Sequence, residues 1–289
     1  MNAPKPLFRF TQVEYPWPLG PTDGRYLLRR PDDPADAPPA DVLVIATLGA
    51  PERRRLLSKG KRNAQPEPEP VPVVTGRATV IDVGEPFELE ADATAWLRRV
   101  GEDDLQAGIT VLNRALHAFR LVTADPYIQP VDRQQALVAR LGFGAGEQVA
   151  EGLWTQAREL LPARRRRQPR ATVLQPQARL AAVLGGRERP LACEELTLRG
   201  RLDLDHGRDR EAALQVLVAL DAALAELAAD PAAGALSDRL EELRSQREAI
   251  AAAAQTALGG PLSPSEREAV AFTLSRIEAA FRARAVVNA

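Results

Sequence analysis

Asp41-Val42-Leu43-Val44-Ile45-Ala46-Thr47-Leu48-Gly49 is the stretch whose reading decides the fold. Val42, Leu43, Val44 and Ile45 are contiguous, which describes a central strand buried on both faces. Upstream, Leu7–Tyr15 is built of good strand formers and shows partial period-two alternation, with Phe8, Phe10 and Tyr15 as its aromatic positions. The following Pro16-Trp17-Pro18-Leu19-Gly20-Pro21 cannot continue a central strand, because three prolines remove ladder donors. Thr22-Asp23-Gly24 is a turn signal, and Arg25–Arg30 reads as a returning strand. Downstream, Val73–Val83 is a further strand, with Val74, Ala78, Val80 and Ile81. No helix-length connection separates the early strands, so the small sheet is expected to be antiparallel.

Two inserts interrupt it. Pro31–Ala40, rich in Pro, Asp and Ala, reads as a mobile loop. Glu52–Pro72 places six basic residues against Glu52, then runs into Pro66-Glu67-Pro68-Glu69-Pro70, a polyproline-II spacer. Neither half has enough apolar surface to offset ordering entropy, so this segment is expected to be disordered.

From Asp92 the periodicity becomes helical. Ala93–Val100 reads as a short helix. Asp103 and Asp104 then start a longer one, where the helix dipole favours acids. Leu105, Ile109, Leu112, Leu116 and Phe119 fall on one stripe of it. Asp132–Leu141 and Glu147–Leu161 read as two further helical segments, separated by a flexible turn at Gly142–Gly146. Arg164–Arg170 reads as a linker. Beyond it, Pro176 marks a helix start, and Leu191–His206 and Arg210–Leu227 are two amphipathic helices meeting at Gly207. Leu236, Leu240, Leu243 and Ile250 mark another helix. The last begins at Ser263-Pro264-Ser265-Glu266, a capping box with proline at the first helical position. The expected class is therefore α+β: a small N-terminal antiparallel β-domain followed by mostly α-helical middle and C-terminal regions. Its parts are a β-rich domain at 1–91 with the insert 52–72, a helical region at 92–163, an Arg-rich linker at 164–172 and a helical hairpin or bundle at 173–289.

Composition narrows the chemistry. The 289 residues carry 38 Lys+Arg against 39 Asp+Glu, a formal charge of -1, which argues against a generic polyanion binder. That balance hides a cancellation. Glu52–Arg62 and Arg158–Arg170 are each +5, against -6 over Pro66–Asp92. Of the 38 basic residues 35 are arginine, the usage of a G+C-rich genome, so arginine runs carry little weight as binding signals. The single cysteine, Cys193, allows no internal disulfide, and with His117 and His206 it makes no structural zinc set. No metal or cofactor is expected. No apolar run is long enough to span a membrane, and Met1–Phe10 has no apolar signal core, so a cytoplasmic bacterial protein is expected.

Leu196, Gly200, Gly207, Ala212 and Ala219 stand at apolar, small, turn and small positions that let two helices approach closely. In that register Leu196–Leu224 resembles a single tetratricopeptide unit, which implies a partner-binding hairpin. Asp203, Val216 and Leu224 depart from the repeat, and no second copy follows at a 34-residue offset. Arg201-Leu202-Asp203-Leu204-Asp205-His206 has the Arg-x4-His spacing of helical ribonucleases of the HEPN type. That resemblance implies Arg201 polarising a phosphodiester and His206 moving a proton, though Leu202 replaces the usual polar residue. His206 beside Gly207 also suits a helix C-terminus. Gly142, Gly144 and Gly146 do not make a phosphate loop, since Glu147-Gln148 follow where Lys-Ser/Thr is needed.

The expected function is nonenzymatic protein interaction or scaffolding, with a protein partner on helical faces or on the edge of the β-domain. Its candidate contacts are Tyr15, Trp17, Leu196, Gly200 and Val216. A nucleic-acid role would use segments 53–62 and 164–170, above all Arg53, Arg54, Arg55, Arg164, Arg165, Arg166 and Arg167, and would weaken steeply with salt. An enzyme would use Arg201 and His206.

Overall fold

Alternation along Leu7–Tyr15 (β1) sends Val13 and Tyr15 to one side and Phe8, Phe10 and Gln12 to the other. This computed structural model describes residues 6–30, 33–34, 36–49, 73–161, 170–231 and 233–287. Contacts divide the chain into two units, Met1–Arg164 and Arg165–Ala289. In the first, β1 joins Gly24–Leu28 (β2), Asp41–Leu48 (β3), Thr75–Phe87 (β4), Val138–Gly144 (β5) and Gln156–Glu159 (β6). The sheet is antiparallel throughout, in the order β2-β3-β4-β1-β5-β6. The α+β class is as expected, with six strands rather than the four segments read as strands from sequence. The returning strand β2 pairs with β3 and stands at one edge, and β4 and β1 are central.

Glu90–Arg99 (α1) and Glu102–Thr123 (α2) cover one face of this sheet. The stripe Leu105, Ile109, Leu112 and Leu116 packs with Val13, Tyr15, Leu43, Ile45, Ala78, Val80, Leu141 and Phe143 in one core. The α2 backbone comes closest at Gly108: a methyl there would lie 2.4 Å from Thr11 Oγ1 and 2.5 Å from Thr11 Cβ. Asn113 of α2 reaches out of the stripe and exchanges hydrogen bonds with the Val131 backbone, at 2.8 and 2.7 Å, which fixes the returning chain before β5.

The middle region corrects two sequence expectations. Asp132–Leu141 is no helix: a short turn at Arg133–Gln135 leads into β5. Glu147–Leu161 is a 3-10 turn at Glu147–Glu151 followed by β6. The residues expected as a separate helical region, 92–163, are therefore helical only through Thr123, and then return to the N-terminal sheet. Nor is Gly142–Gly146 simply a loop, since Gly142 and Gly144 belong to β5. Phe10 lies over Gly142, where a methyl would meet Phe10 Cζ at 2.6 Å.

The second unit comprises Arg170–Leu184 (α3), Ala192–Asp205 (α4), Asp209–Ala228 (α5), Ser237–Gly259 (α6) and Pro264–Val287 (α7). Pro176 lies inside α3 rather than at its start. Helices α4 to α7 enclose one core, with Cys193, Val216, Leu220, Leu227, Leu240, Ile250, Leu274 and Ile277 buried. The box at the start of α7 forms as its residues suggest: Glu266 accepts from Ser263 N at 2.8 Å, and Ser263 Oγ accepts from Glu266 N at 3.3 Å. No described helix is long and apolar enough to cross a membrane. The expected insert 52–72 and residues 164–169 of the expected linker lie outside the described residues.

Candidate functional site

Among the described residues, the sheet face opposite α1 and α2 is covered over only part of its width. Val149 and Trp154, from the segment between β5 and β6, pack on Phe10, Val42 and Ile81, and the Trp154 ring stacks on Phe10 at 5.6 Å. Polar groups fasten this strap. Gln12 Nε2 donates to Thr79 Oγ1 at 3.0 Å and to the Ala150 carbonyl at 3.3 Å, and Arg77 Nη1 donates to the same carbonyl at 3.4 Å. Glu14 holds Arg77 at 2.8 Å and Arg140 at 3.5 Å, and Arg140 lies 5.8 Å from the Trp154 ring centre. Arg77 and Arg140 are thus engaged in closing this face.

Beyond the strap no described residue covers the same face. A cavity of about 440 Å³ lies there, bordered by Phe8, Leu27, Val42, Ile81, Val83 and the Arg25–Glu147 ion pair at 2.5 Å. Leu27 is 56% exposed, an isobutyl group in water beside an apolar floor. It belongs to β2, whose outer side pairs with no strand among the described residues. The unpaired backbone groups of an edge strand are a template for another strand. Edge strand and apolar groove therefore meet at one place. The other edge, β6, is four residues long and carries Arg158 and Glu159, features that discourage such pairing.

On the helix-covered face a second cavity, of about 210 Å³, is lined by Arg9, Asp41, Asp82, Asp104, Trp96, Val111 and other residues. Asp41 and Asp82 stand opposite each other on β3 and β4. Burial lifts the Asp41 carboxyl above its ordinary range, the Asp82 charge adds to this, and Arg114 and Arg30 oppose it. A displaced carboxylate in a cleft is a recognised sign of function. Here, however, each charged group has a task in the fold. Arg9 lies 3.8 Å from Asp82, 3.5 Å from Glu85 and 4.9 Å from the Phe87 ring centre, and Arg114 lies 4.0 Å from Asp41. Asp104 accepts from Gly101 N at 2.8 Å and so caps α2. Among the described residues no cluster of three or more His, Cys, Asp or Glu is suited to a metal.

The residues singled out from sequence are placed as follows. Tyr15, Gly200 and Val216 are buried. Leu196 is half-buried against the bundle core. These four pack within their own units, and in the bundle Val216 Cγ2 sits against Gly200. Burial also raises the Tyr15 phenol well above its usual range, with Asp132 adding to it. Trp17 is 38% exposed, its ring 5.6 Å from Tyr15, and so covers the end of β1. Arg201 is bound by Glu278 at 2.9 Å and Asp205 at 3.7 Å. His206 Nδ1 lies 2.7 Å from the Leu202 carbonyl at the end of α4. Inter-helix pairing and helix capping account for both. Arg53, Arg54, Arg55, Arg164, Arg165, Arg166 and Arg167 lie outside the described residues. Sequence reading named β2 as a strand but passed over Leu27. The signal was there: Arg25, Leu27 and Arg29 alternate on one side of a segment whose outer neighbour was never identified.

No protein-family model matches the chain, and no curated protein or solved structure is significantly similar to it.

Proposed function

We propose that the chain is a nonenzymatic protein-interaction protein that works by sheet extension. An extended strand of a protein partner adds to the outer side of β2 and sets one apolar side chain beside Leu27 in the open groove. The observation that carries this reading is the coincidence of a free, five-residue edge strand, a half-exposed leucine and an adjoining apolar cavity. Backbone pairing supplies affinity in this mode, and alternate side-chain positions supply selectivity. The edge of the β-domain is one of the two partner surfaces expected from sequence.

Selection from displayed random octapeptides tests the reading with the full chain as bait. Peptides with apolar residues at alternate positions are expected to be enriched. Leu27→Asp removes the apolar contact, worth about 1.5–3 kcal/mol, and is expected to weaken recovered peptides by about tenfold or more. Leu202→Asp, an exposed leucine on α4, is the control expected to change nothing. No enrichment, or enriched peptides indifferent to Leu27→Asp, would overturn it.

A further inference from the structure

The residues around β2 are complementary to their own reverse. Thr22-Asp23-Gly24-Arg25-Tyr26-Leu27-Leu28-Arg29-Arg30 places an acid before the strand and two arginines after it. Turn a second β2 antiparallel to the first with Tyr26 opposite Tyr26. Asp23 then faces Arg29, Gly24 faces Leu28, and Arg25 faces Leu27, each pair occurring twice by symmetry. Every pair is of a kind that stabilises neighbouring strands or is sterically compatible: acid with base, small with large, aliphatic stem with leucine, and an aromatic pair on the axis. Asp23 and Arg29 are both exposed. Asp23 accepts from Thr47 N at 2.9 Å and Thr47 Oγ1 at 2.7 Å, which holds the carboxylate still, and a carboxylate keeps further acceptor sites. Arg29 donates Nε to the Ala37 carbonyl at 2.6 Å, and its two terminal nitrogens make no hydrogen bond of that kind among the described residues. Leu27, 56% exposed in the single chain, comes to lie under the aliphatic stem of the other copy's Arg25.

Resting on the sheet-extension reading, we infer that the partner strand is β2 of a second copy of this chain, the two sheets continuing into one across a two-fold axis. A two-fold contact uses the same patch on both subunits, so it must be self-complementary, and this segment is. Its five residues bury less than a permanent dimer needs, so association is reversible and depends on concentration.

Sedimentation equilibrium of the full chain over a range of concentrations tests this. A monomer–dimer equilibrium is expected. Asp23→Arg and Arg29→Asp each turn two attractions into two repulsions and are expected to weaken it about tenfold or more. The double variant Asp23→Arg/Arg29→Asp restores opposite charges across the axis and is expected to recover most of the association, although it still lacks the Asp23–Thr47 bonds. That separates the contact between copies from any effect on the fold. Leu27→Pro, which removes a backbone donor on the outer side of β2, is expected to leave only monomer. A chain monomeric at every concentration, reversal without rescue, or a dimer that survives Leu27→Pro would each overturn the inference. If the chain is monomeric yet selected octapeptides bind through Leu27, sheet extension stands and only the self-pairing falls. If neither occurs, both fall.

Discussion

Asp41 shows how a single side chain can look functional and still answer to the fold. It faces Asp82 across two strands, with Arg114 at 4.0 Å as its salt partner. Burial first, and then the Asp82 charge, raise its folded-state pKa. A group raised in this way holds its proton more tightly in the fold than in the unfolded chain. Its contribution to stability is full below the unfolded carboxylate value and is lost as pH rises through the folded one. Asp41→Asn removes that loss. The urea midpoint at about pH 7 is expected to rise by the cost of a like-charged cross-strand pair, about 0.2–1 kcal/mol, and to match the parent at about pH 3, where Asp41 is protonated in both states. A lower midpoint at neutral pH would show that the Arg114 contact outweighs burial and repulsion together. At this scale sequence reading found little of the candidate site. Tyr15, Gly200 and Val216 announced themselves by size and spacing, which are the marks of packing, whereas Leu27 is significant only because no strand among the described residues lies beyond it.

The elements were legible wherever local pattern and tertiary role agree. The α2 stripe, the α7 capping box and β1 all form as their residues dictate, because each has one strong period or one strong cap. Strand β5 was misread for the opposite reason. Its period of two is real, with Ala139, Leu141 and Phe143 buried toward the helices, but the alternate positions on the other face include Gly142 and Gly144. Glycine says nothing of burial, and two of them beside a third at Gly146 imitate a loop. The ring of Phe10, directly opposite Gly142 on β1 but far from it in sequence, and the Gln156 carbonyl of β6 leave no room there for a side chain. Strand β6 is four residues long and exists by pairing with β5, so no local signal was available. The same close approach decides what α2 tolerates. Gly108→Ala gains helix propensity of about 1 kcal/mol but drives a methyl against Thr11 Cβ, which belongs to β1 and cannot swing aside. Overpacking of this kind costs about 1–3 kcal/mol, so a net loss in denaturant midpoint is expected. A gain would mean that α2 shifts freely over the sheet.

Two separate cores in one chain make a prediction of their own, since the buried clusters of the sheet unit and of the bundle share no residue. The chain carries a natural reporter for each. Trp17, Trp96 and Trp154 all belong to Met1–Arg164, and the only cysteine, Cys193, is buried in Arg165–Ala289. Burial pushes the Cys193 thiol well above its ordinary range, and its hydrogen bond with Glu226 and that carboxylate's charge push it further. The reactive thiolate is therefore scarce until the bundle opens, because the thiolate and not the thiol is the nucleophile. Ile109→Ala empties part of the sheet core at a fully buried position and should cost about 2–5 kcal/mol there. In a urea titration the tryptophan fluorescence transition is expected to move to lower denaturant by that amount, while the onset of Cys193 labelling stays where it is in the parent. Should both signals move together, the chain unfolds as one cooperative body and the division into two independently stable units fails. Should the labelling alone move, Ile109 acts on the bundle rather than on the sheet core to which it belongs.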